Sequence, residues 1–216
     1  MNTAPFALHE ALAETLLPYS IPNDSDGAHD IAHITRVWNN ARAIAHVEGA
    51  DWEVLLAATL LHDCISVEKD SPDRAKASSL AAAAARGHLA PLGWDTGKVD
   101  ATCHAVEAHS FSANIPTETR EAKILQDADR LDAIGLIGIA RCFYVAGRMG
   151  SALYEPSDPH AKERALDDRS YAIDHFETKL LTLSKGFKTG EGQRMAEARH
   201  QELLDFRSAF FAQVGA

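Results

Sequence analysis

The sequence predicts an all-α protein. Apolar residues recur at spacings of three and four through most of the chain, which is the period of an amphipathic helix. Alternating runs rich in Val, Ile and Thr, which are typical of strands, are almost absent. The 216 residues are 46% hydrophobic and 24% charged, close to the average for soluble globular chains. We therefore expect a compact multi-helix bundle with a sizeable core.

Helix boundaries follow from turn and cap residues. Pro18 ends a first helix, Gly49 ends a second, and the carboxylates of Asp51 and Asp73 can cap the third and fourth. These signals predict helices over the segments 6–17, 30–48, 52–61, about 74–86, about 98–109, about 120–146, about 162–184 and about 191–211.

Two features of these segments bear on packing. The segment 52–61 is apolar on all sides, so we expect it to be buried nearly all round. Within the long segment 120–146, Gly135 and Gly138 weaken the helical pattern and predict close contact with a neighbouring element.

The charge of the chain limits its partners. Lys and Arg number 21 against 31 Asp and Glu, which gives a formal net charge of −10. Such a chain would repel a phosphate backbone, so we expect no extended nucleic acid as a partner. A small phosphorylated molecule fits better, because a local cation or metal can reverse the field inside a pocket.

Cysteine usage and the N-terminal segment indicate the compartment. Cys64, Cys103 and Cys142 are scattered and odd in number, which is typical of a reducing environment. The segment 1–17 lacks the basic start and continuous apolar run of a signal peptide. No stretch elsewhere approaches the roughly 20 apolar residues that span a bilayer. We therefore expect a cytoplasmic protein with no membrane role.

Four polar side chains stand out against the apolar helices: His33, His62, Asp63 and Asp129. Two imidazoles and two carboxylates can hold one divalent cation, and this mixed nitrogen and oxygen set suits Mn, Fe, Ni, Co or Zn. Burying an adjacent His-Asp pair is costly unless something pairs with it, and a metal is the simplest partner. Alternatively, His62 and Asp63 cap the helix and hydrogen-bond each other.

The order and spacing of these four residues resemble the HD superfamily of metal-dependent phosphohydrolases, and in particular its small bacterial hydrolases. The resemblance lies in "HDIAHITRVWNNARAIA" (29–45), "LAATLLHD" (ending at Asp63) and "ILQDADRLDAIGLIGIAR" (124–141). The tail segments "AIDHFETKLL" and "GQRMAEAR" are also similar to that branch. The resemblance implies that His33, His62, Asp63 and Asp129 are the metal ligands.

The resemblance also implies the domain plan and the reaction. We expect one HD-type domain over 1–216, with a metal-binding core at about 25–146 and a C-terminal helical extension at about 160–212 packed on that core. The expected cofactor is one divalent ion, with Mn favoured over Ni, Co, Fe, Mg and Zn. The expected activity is hydrolysis of a phosphoester or phosphoanhydride in a nucleotide, including pyrophosphate release from a nucleoside triphosphate.

Two acidic residues are candidates for assisting catalysis beside Asp63. Several HD enzymes use an acidic residue shortly after the His-Asp pair to orient or deprotonate the attacking water, and Glu68 has the right type and position. A solvated loop charge is the alternative. Asp132 lies one turn after Asp129 on the same helical face, where it could orient a ligand or a water.

Three residues are candidates for binding the substrate phosphate. Arg36 lies three residues after His33, where its guanidinium could grip a phosphoryl oxygen bidentately or form a surface ion pair. Lys69 could neutralise phosphate charge, and His109 resembles the histidine that relatives place before a short Ser-containing loop. Further candidates for the pocket are His29, His104, Tyr144 and Arg148.

Two other functions remain open from the sequence. Some relatives with HD-type helices carry two irons and activate oxygen, and His104 and His109 could supply the additional ligands. A non-catalytic module that binds a nucleotide and reports it to a partner is the other alternative. The sequence lacks the Gly-Tyr-Pro motif of the cyclic-dinucleotide branch, which disfavours that substrate class. The oligomeric state is left open.

Overall fold

The computed structural model describes residues 3–21, 30–67 and 76–215, and these ranges contain α-helices and no β-strand. The helices are α1 (Glu10–Leu16), α2 (Ile31–Glu48), α3 (Trp52–Leu61), α4 (Ala77–Leu89), α5 (Thr96–Ala108), α6 (Arg120–Asp132), α7 (Gly135–Met149), α8 (Asp174–Thr178) and α9 (Gly190–Val214). The all-α prediction is confirmed. Within the described ranges, no helix combines the length and the apolar character needed to cross a membrane.

Aspartate caps begin three of the helices. Asp30 Oδ1 accepts the backbone N–H of His33 at the start of α2, and Asp95 caps α5 in the same way. Asp51 Oδ1 accepts two backbone N–H groups at 3.0 and 3.1 Å, which confirms it as the cap of α3. Asp73, the expected cap of α4, lies outside the described residues.

The chain divides into two compact units, and the first is Met1–Asp129. Helix α3 is its central element, since α3 contacts α1, α2, α4 and α5. Every residue from 54 to 61 is buried, as the apolar sequence of this segment predicts. The Ala-rich helix α4 packs on α5 and buries Ala81, Ala82 and Ala85, whose small side chains allow a close approach.

The second unit is Arg130–Ala216, in which α7 packs against α9. It contains an aromatic cluster of the buried Phe176 with the half-buried Phe143, Phe206 and Phe210, with contacting ring centroids 5.6–6.3 Å apart. The guanidinium of Arg130 donates to three backbone carbonyls in the turn that precedes α9. These bonds satisfy carbonyl groups that no helix uses.

The single long helix expected over 120–146 is wrong, because the chain breaks it into α6 and α7. Gly135 adopts φ +69°, a left-handed conformation that ends helical continuity. Gly138 lies against the backbone of the turn between α6 and α7, since a Cβ built there would lie 2.4 Å from the carbonyl oxygen of Ala133. The predicted close contact with a neighbouring element exists at Gly135, where a Cβ would lie 2.6 Å from Glu202 Oε2 on α9, whereas Gly138 meets only the turn before its own helix.

The helix expected over 162–184 is also wrong. Only the short helix α8 and a 3-10 turn at Leu180–Thr182 form there. Asp158 accepts the backbone N–H groups of residues 162, 163 and 164, and Asp167 accepts those of residues 169 and 170. Side chains that take up backbone donors in this way compete with the helical hydrogen bonds. The first helix also starts later than expected, at Glu10, since Leu8 has φ +76°.

Candidate metal centre

Three side chains of the first unit bring ligand atoms together. One atom each from His33, His62 and Asp129 lies within 4.8 Å of the other two. The two imidazole Nε2 atoms are 3.3 Å apart, and Asp129 Oδ1 lies 3.5 Å from His33 Nε2. Both histidines are buried, whereas the side chain of Asp129 is 30% exposed. The cluster therefore has a buried nitrogen side and a carboxylate side that solvent reaches.

Asp63 lies beside this cluster and turns its two oxygens to different histidines. Its Oδ2 is 3.6 Å from His62 Nε2 and 3.8 Å from His33 Nε2. Its Oδ1 is 3.6 Å from the Nε2 of His109. One carboxylate thus connects the three-residue cluster to a further buried imidazole.

Helix ends orient two of the histidines. His62 is the residue directly after α3 and His109 the residue directly after α5. The Nδ1 of His62 lies 2.7 Å from the carbonyl oxygen of Thr59, and that of His109 lies 2.6 Å from the carbonyl of Val106. A carbonyl only accepts, so both Nδ1 atoms carry a proton. The Nε2 of the neutral His62 ring therefore has its lone pair directed at the cluster.

Electrostatics favour the protonation states that bind a cation. Burial lowers the pKa of His62, which keeps its imidazole neutral. Burial alone would raise the pKa of Asp63, but the neighbouring imidazoles of His62, His109 and His33 outweigh it and hold that pKa well below its usual range. A neutral imidazole and an ionised carboxylate are the ligand forms that a divalent metal requires.

The pKa of His109 is raised, whereas that of His62 is lowered. Burial disfavours its charged form, yet the carboxylate of Asp63, 3.6 Å away, prevails and raises its pKa. His109 therefore holds a proton more readily than an ordinary histidine, next to a carboxylate that remains ionised.

The donor set fits a divalent metal ion. Two nitrogen ligands that each lie about 2.1 Å from one ion can be at most about 4.2 Å apart, and the 3.3 Å between the Nε2 atoms of His33 and His62 is within that limit. The carboxylates of Asp129 and Asp63 approach these nitrogens at 3.5–3.8 Å. Two imidazoles with two carboxylates match the preferences of Mn, Fe, Co, Ni and Zn.

The other expected site residues have varied positions. Arg36 lies one turn after His33 on α2 and is half-buried, while Asp132 is buried and pairs with Arg141 at 3.1 Å. Nε2 of His104 accepts the backbone N–H of Glu118.

Three of the expected site residues, Glu68, Lys69 and His29, lie outside the described residues. Tyr144 and Arg148 are exposed neighbours on α7, with the guanidinium 5.7 Å from the ring centroid.

Sequence reasoning missed two buried amides beside the cluster. Asn40 Nδ2 donates to the carbonyl of Ala128 at 3.0 Å, and Gln126 Nε2 donates to the carbonyl of Ala108 at 2.8 Å. A signal was available for Asn40, because a residue seven positions after His33 lies on the same face of a helix.

Comparison with known proteins bears on this geometry directly. Residues 30–134 match the HD domain family, and that range contains His33, the His62-Asp63 pair and Asp129. A curated relative, the uncharacterised protein YpgQ of Bacillus subtilis (strain 168), is 35% identical over 192 residues, which cover 87% of this chain and 85% of YpgQ. This chain belongs to the HD domain family. The resemblance inferred from the sequence is thereby confirmed.

Solved structures of other HD proteins share the fold. An HD-superfamily hydrolase from Bacillus thuringiensis has a TM-score of 0.74 and 29% identity, over 96% of this HD protein and 98% of that chain. A crystal structure of B. subtilis YpgQ in complex with ADP has a TM-score of 0.71 and 31% identity, over 93% and 97% of the two chains. A predicted HD-superfamily hydrolase from an uncultured Thermotogales bacterium has a TM-score of 0.63 and 28% identity, over 99% of each chain.

Proposed function

We propose that this HD protein is a divalent-metal-dependent phosphohydrolase that acts on a small phosphorylated molecule, specifically a nucleotide. The observation that carries the proposal is the convergence of His33, His62 and Asp129 within 4.8 Å, with the carboxylate of Asp63 beside them. Membership of a family that includes HD-superfamily hydrolases supports a hydrolytic use of that centre.

His33, His62, Asp63 and Asp129 would hold the ion. When bound, a divalent metal lowers the pKa of a coordinated water and polarises a phosphoryl oxygen, which is the chemistry that phosphoester hydrolysis needs. The protein supplies the ligand geometry: helix ends fix the ring of His62, and Asp30 fixes the start of the helix that carries His33. Mn is the ion that we favour in this proposal, and it is one of several that a mixed nitrogen and carboxylate donor set suits.

His109 and Arg36 are the proposed phosphate-binding residues. The Nε2 of His109 faces Asp63 Oδ1 at 3.6 Å, which places this imidazole next to the proposed metal ligands. A protonated Nε2 can donate to a phosphoryl oxygen and offset the negative charge that develops during attack. Arg36, one turn after His33, would contact a second oxygen through its guanidinium.

Three residues keep the roles that the sequence indicates as part of this proposal. Glu68 would orient or deprotonate the attacking water, and Lys69 would neutralise phosphate charge. Asp132 would orient a group of the centre through its position one turn after Asp129 on α6.

The choice of a nucleotide is supported by a relative. B. subtilis YpgQ, which is 31% identical to this chain in the structural comparison, has been crystallised with ADP. A similar nucleotide in this protein would present its phosphates to the metal centre. For a nucleoside triphosphate, attack at the α-phosphorus would release pyrophosphate, and this is the specific reaction that we propose.

The test is a panel of nucleotides and simple phosphoesters incubated with metal-stripped protein that is resupplied with Mn²⁺, Mg²⁺, Co²⁺, Ni²⁺ or Zn²⁺. Pyrophosphate from nucleoside triphosphates would identify a pyrophosphohydrolase, and phosphate from monophosphates would identify a phosphatase. Tight nucleotide binding without turnover under every metal would contradict hydrolysis and favour a nucleotide sensor.

Two variants make the test specific to the centre. Asp63→Ala should abolish both metal retention and turnover, because it removes the carboxylate that lies between His62 and His109. His104→Ala is the matched control, since the Nε2 of His104 accepts the N–H of Glu118 at 3.0 Å. Full activity of Asp63→Ala would refute the assignment of the site.

A second candidate, a two-metal centre, is favoured by the position of His109. Because Asp63 turns Oδ2 to the main cluster and Oδ1 to His109, Asp63 and His109 could together hold a second ion. Metal analysis of the reconstituted protein would then give two ions for each chain. Oxygen-dependent turnover with iron would indicate oxygenase chemistry, whereas phosphoester turnover with Mn²⁺ in the absence of oxygen would support hydrolysis.

A further inference from the structure

Two buried amide side chains bond to the backbone immediately before residues of the metal centre. Asn40 donates to the carbonyl of Ala128, the residue before Asp129. Gln126 donates to the carbonyl of Ala108, the residue before His109. Asn40 is 6% exposed and Gln126 is 3% exposed, so water does not compete for either bond.

The bond from Asn40 spans the same two helices as the contact between His33 and Asp129. Asn40 lies seven residues, or about two turns, after His33, so both side chains leave α2 on one face. Opposite them on α6, Ala128 and Asp129 are adjacent. The bond of 3.0 Å therefore sets the spacing of α2 and α6, on which the 3.5 Å distance from His33 Nε2 to Asp129 Oδ1 depends.

The bond from Gln126 connects α6 to the end of α5. Ala108 is the last residue of α5, and a carbonyl at a helix end has no partner within its own helix. The amide of Gln126 supplies that partner at 2.8 Å. The next residue along the chain, His109, projects its Nε2 to Asp63. The bond thus fixes the backbone from which the His109 ring extends.

The amide at position 126 is only partly satisfied. The Oε1 of Gln126 is buried and has no hydrogen-bond partner among the residues that the structure describes. A methionine would fill a similar volume without burying an unsatisfied oxygen, which is a costly arrangement. The part of the side chain that is satisfied is the donor aimed at Ala108.

We propose that Asn40 and Gln126 are positioning residues of the metal centre: Asn40 sets the distance between the ligands His33 and Asp129, and Gln126 sets the position of His109 against Asp63. This inference rests on the proposed function for its kinetic consequences only. The positions that it assigns to the ligand side chains can be tested in the folded protein, whether or not the protein turns over a substrate.

The test compares Asn40→Leu and Gln126→Met, which remove the N–H donor and keep the length of the side chain, with the control Thr102→Val. Thr102 is fully buried on α5 and donates to the carbonyl of Lys98 within its own helix. The measurements are Mn²⁺ affinity by calorimetry, the unfolding temperature of the metal-free protein, and the ¹⁵N imidazole spectrum of the metal-free protein. Asn40→Ala and Gln126→Ala repeat the comparison if either larger variant does not fold.

Asn40→Leu should weaken Mn²⁺ binding by about 10- to 100-fold, while Gln126→Met should leave that affinity intact. Gln126→Met should shift the His109 imidazole signals and lower kcat/KM about tenfold or more. Thr102→Val should change neither the affinity nor the spectrum. Wild-type Mn²⁺ affinity in Asn40→Leu, together with unshifted His109 signals in Gln126→Met, would overturn the proposal.

The proposal and the proposed function fail in different ways. If the wild-type protein binds Mn²⁺ but hydrolyses nothing, the phosphohydrolase assignment fails, and the affinities of the Asn40 variants still decide the positioning role. If the wild-type protein binds no divalent ion, the imidazole spectra of the variants decide whether Asn40 and Gln126 position the histidines. Displaced His33 signals in Asn40→Leu and displaced His109 signals in Gln126→Met then support positioning, and unchanged signals refute it.

Discussion

The carboxylate of Asp63 lies 3.6 Å from the imidazole of His109, measured from Oδ1 to Nε2. The two residues follow different helices, α3 and α5. The ring of His109 is fixed from its other side, since its Nδ1 donates to the carbonyl of Val106 at 2.6 Å. Asp63 therefore controls the charge of a histidine whose orientation is already set.

The first prediction concerns this charge. In the metal-free protein, Asp63→Asn should lower the pKa of His109 below its ordinary value of 6.5, because burial is then opposed by much less negative charge. Asp129→Asn should lower it less, since Asp129 contributes less to the shift than Asp63 does. An NMR titration of the histidine ring carbons measures both changes. Equal effects of the two variants would contradict the dominant role of Asp63.

The raised pKa of His109 makes the stability of the metal-free protein depend on pH. The folded-state pKa of His109 is raised, so the folded protein binds a proton more tightly than the unfolded chain. The ion pair with Asp63 therefore stabilises the metal-free protein fully below the unfolded pKa, about 6.5. That stabilisation is lost as the pH rises through the folded-state value, and it should be absent in His109→Gln. Urea unfolding of both proteins across this pH range tests the sign.

The second prediction concerns metal removal. An ion that binds the folded chain at 100 times its Kd stabilises it by about 2.7 kcal/mol, which for this size raises the unfolding temperature by roughly 5–10 °C. Mn²⁺ should therefore raise the unfolding temperature of the stripped wild-type protein, and a chelator should reverse the change. His62→Ala should abolish the shift because His62 Nε2 faces His33 at 3.3 Å. His104→Ala should retain it, and the opposite pattern would place the metal elsewhere.

The third prediction compares two glycines of α7. A Cβ on Gly138 would lie 2.4 Å from the backbone oxygen of Ala133, so Gly138→Ala should destabilise the protein by about 1–3 kcal/mol through overpacking. A Cβ on Gly147 meets nothing within 4 Å. Gly147→Ala should therefore stabilise the helix by about 0.5–1 kcal/mol. Chemical denaturation of both variants gives the comparison, and equal stabilities would contradict the geometry of the break.

The site was more predictable from the sequence than the packing that holds it. His33 and the His62-Asp63 pair lie in largely apolar segments, and the order and spacing of the four candidate ligands resemble the HD superfamily. The contacts of Asn40 and Gln126 join residues 88 and 18 positions apart, so their partners depend on how helices pack. Helical periodicity does not carry that information.

The two wrong helices have local causes that periodicity also does not capture. At Gly135, one left-handed residue interrupts an apolar pattern that continues on both sides. Between residues 155 and 174, Asp158 and Asp167 take up backbone N–H groups that a helix would use. Both sequences remain apolar at helical spacing, and turn chemistry decides the structure.

The last prediction concerns the network that replaces the expected helix. The guanidinium of Arg164 donates to both oxygens of Asp174, whose side chain is 2% exposed. Arg164→Met leaves that carboxylate buried without its counter-charge, so the protein should lose about 3 kcal/mol of stability, or roughly 6–12 °C in unfolding temperature. The control is Arg194→Met, since the Arg194 side chain in its pair with Glu191 is 68% exposed and should contribute little.

Replacing both buried partners distinguishes the charge from the packing. In the double variant Arg164→Met with Asp174→Leu, no uncompensated charge is buried, so part of the lost stability should return. The unfolding temperatures of the wild type, the two single variants and the double variant form a complete cycle. A double variant less stable than Arg164→Met would show instead that the backbone bond from Asp167 to Asp174 holds this segment in place.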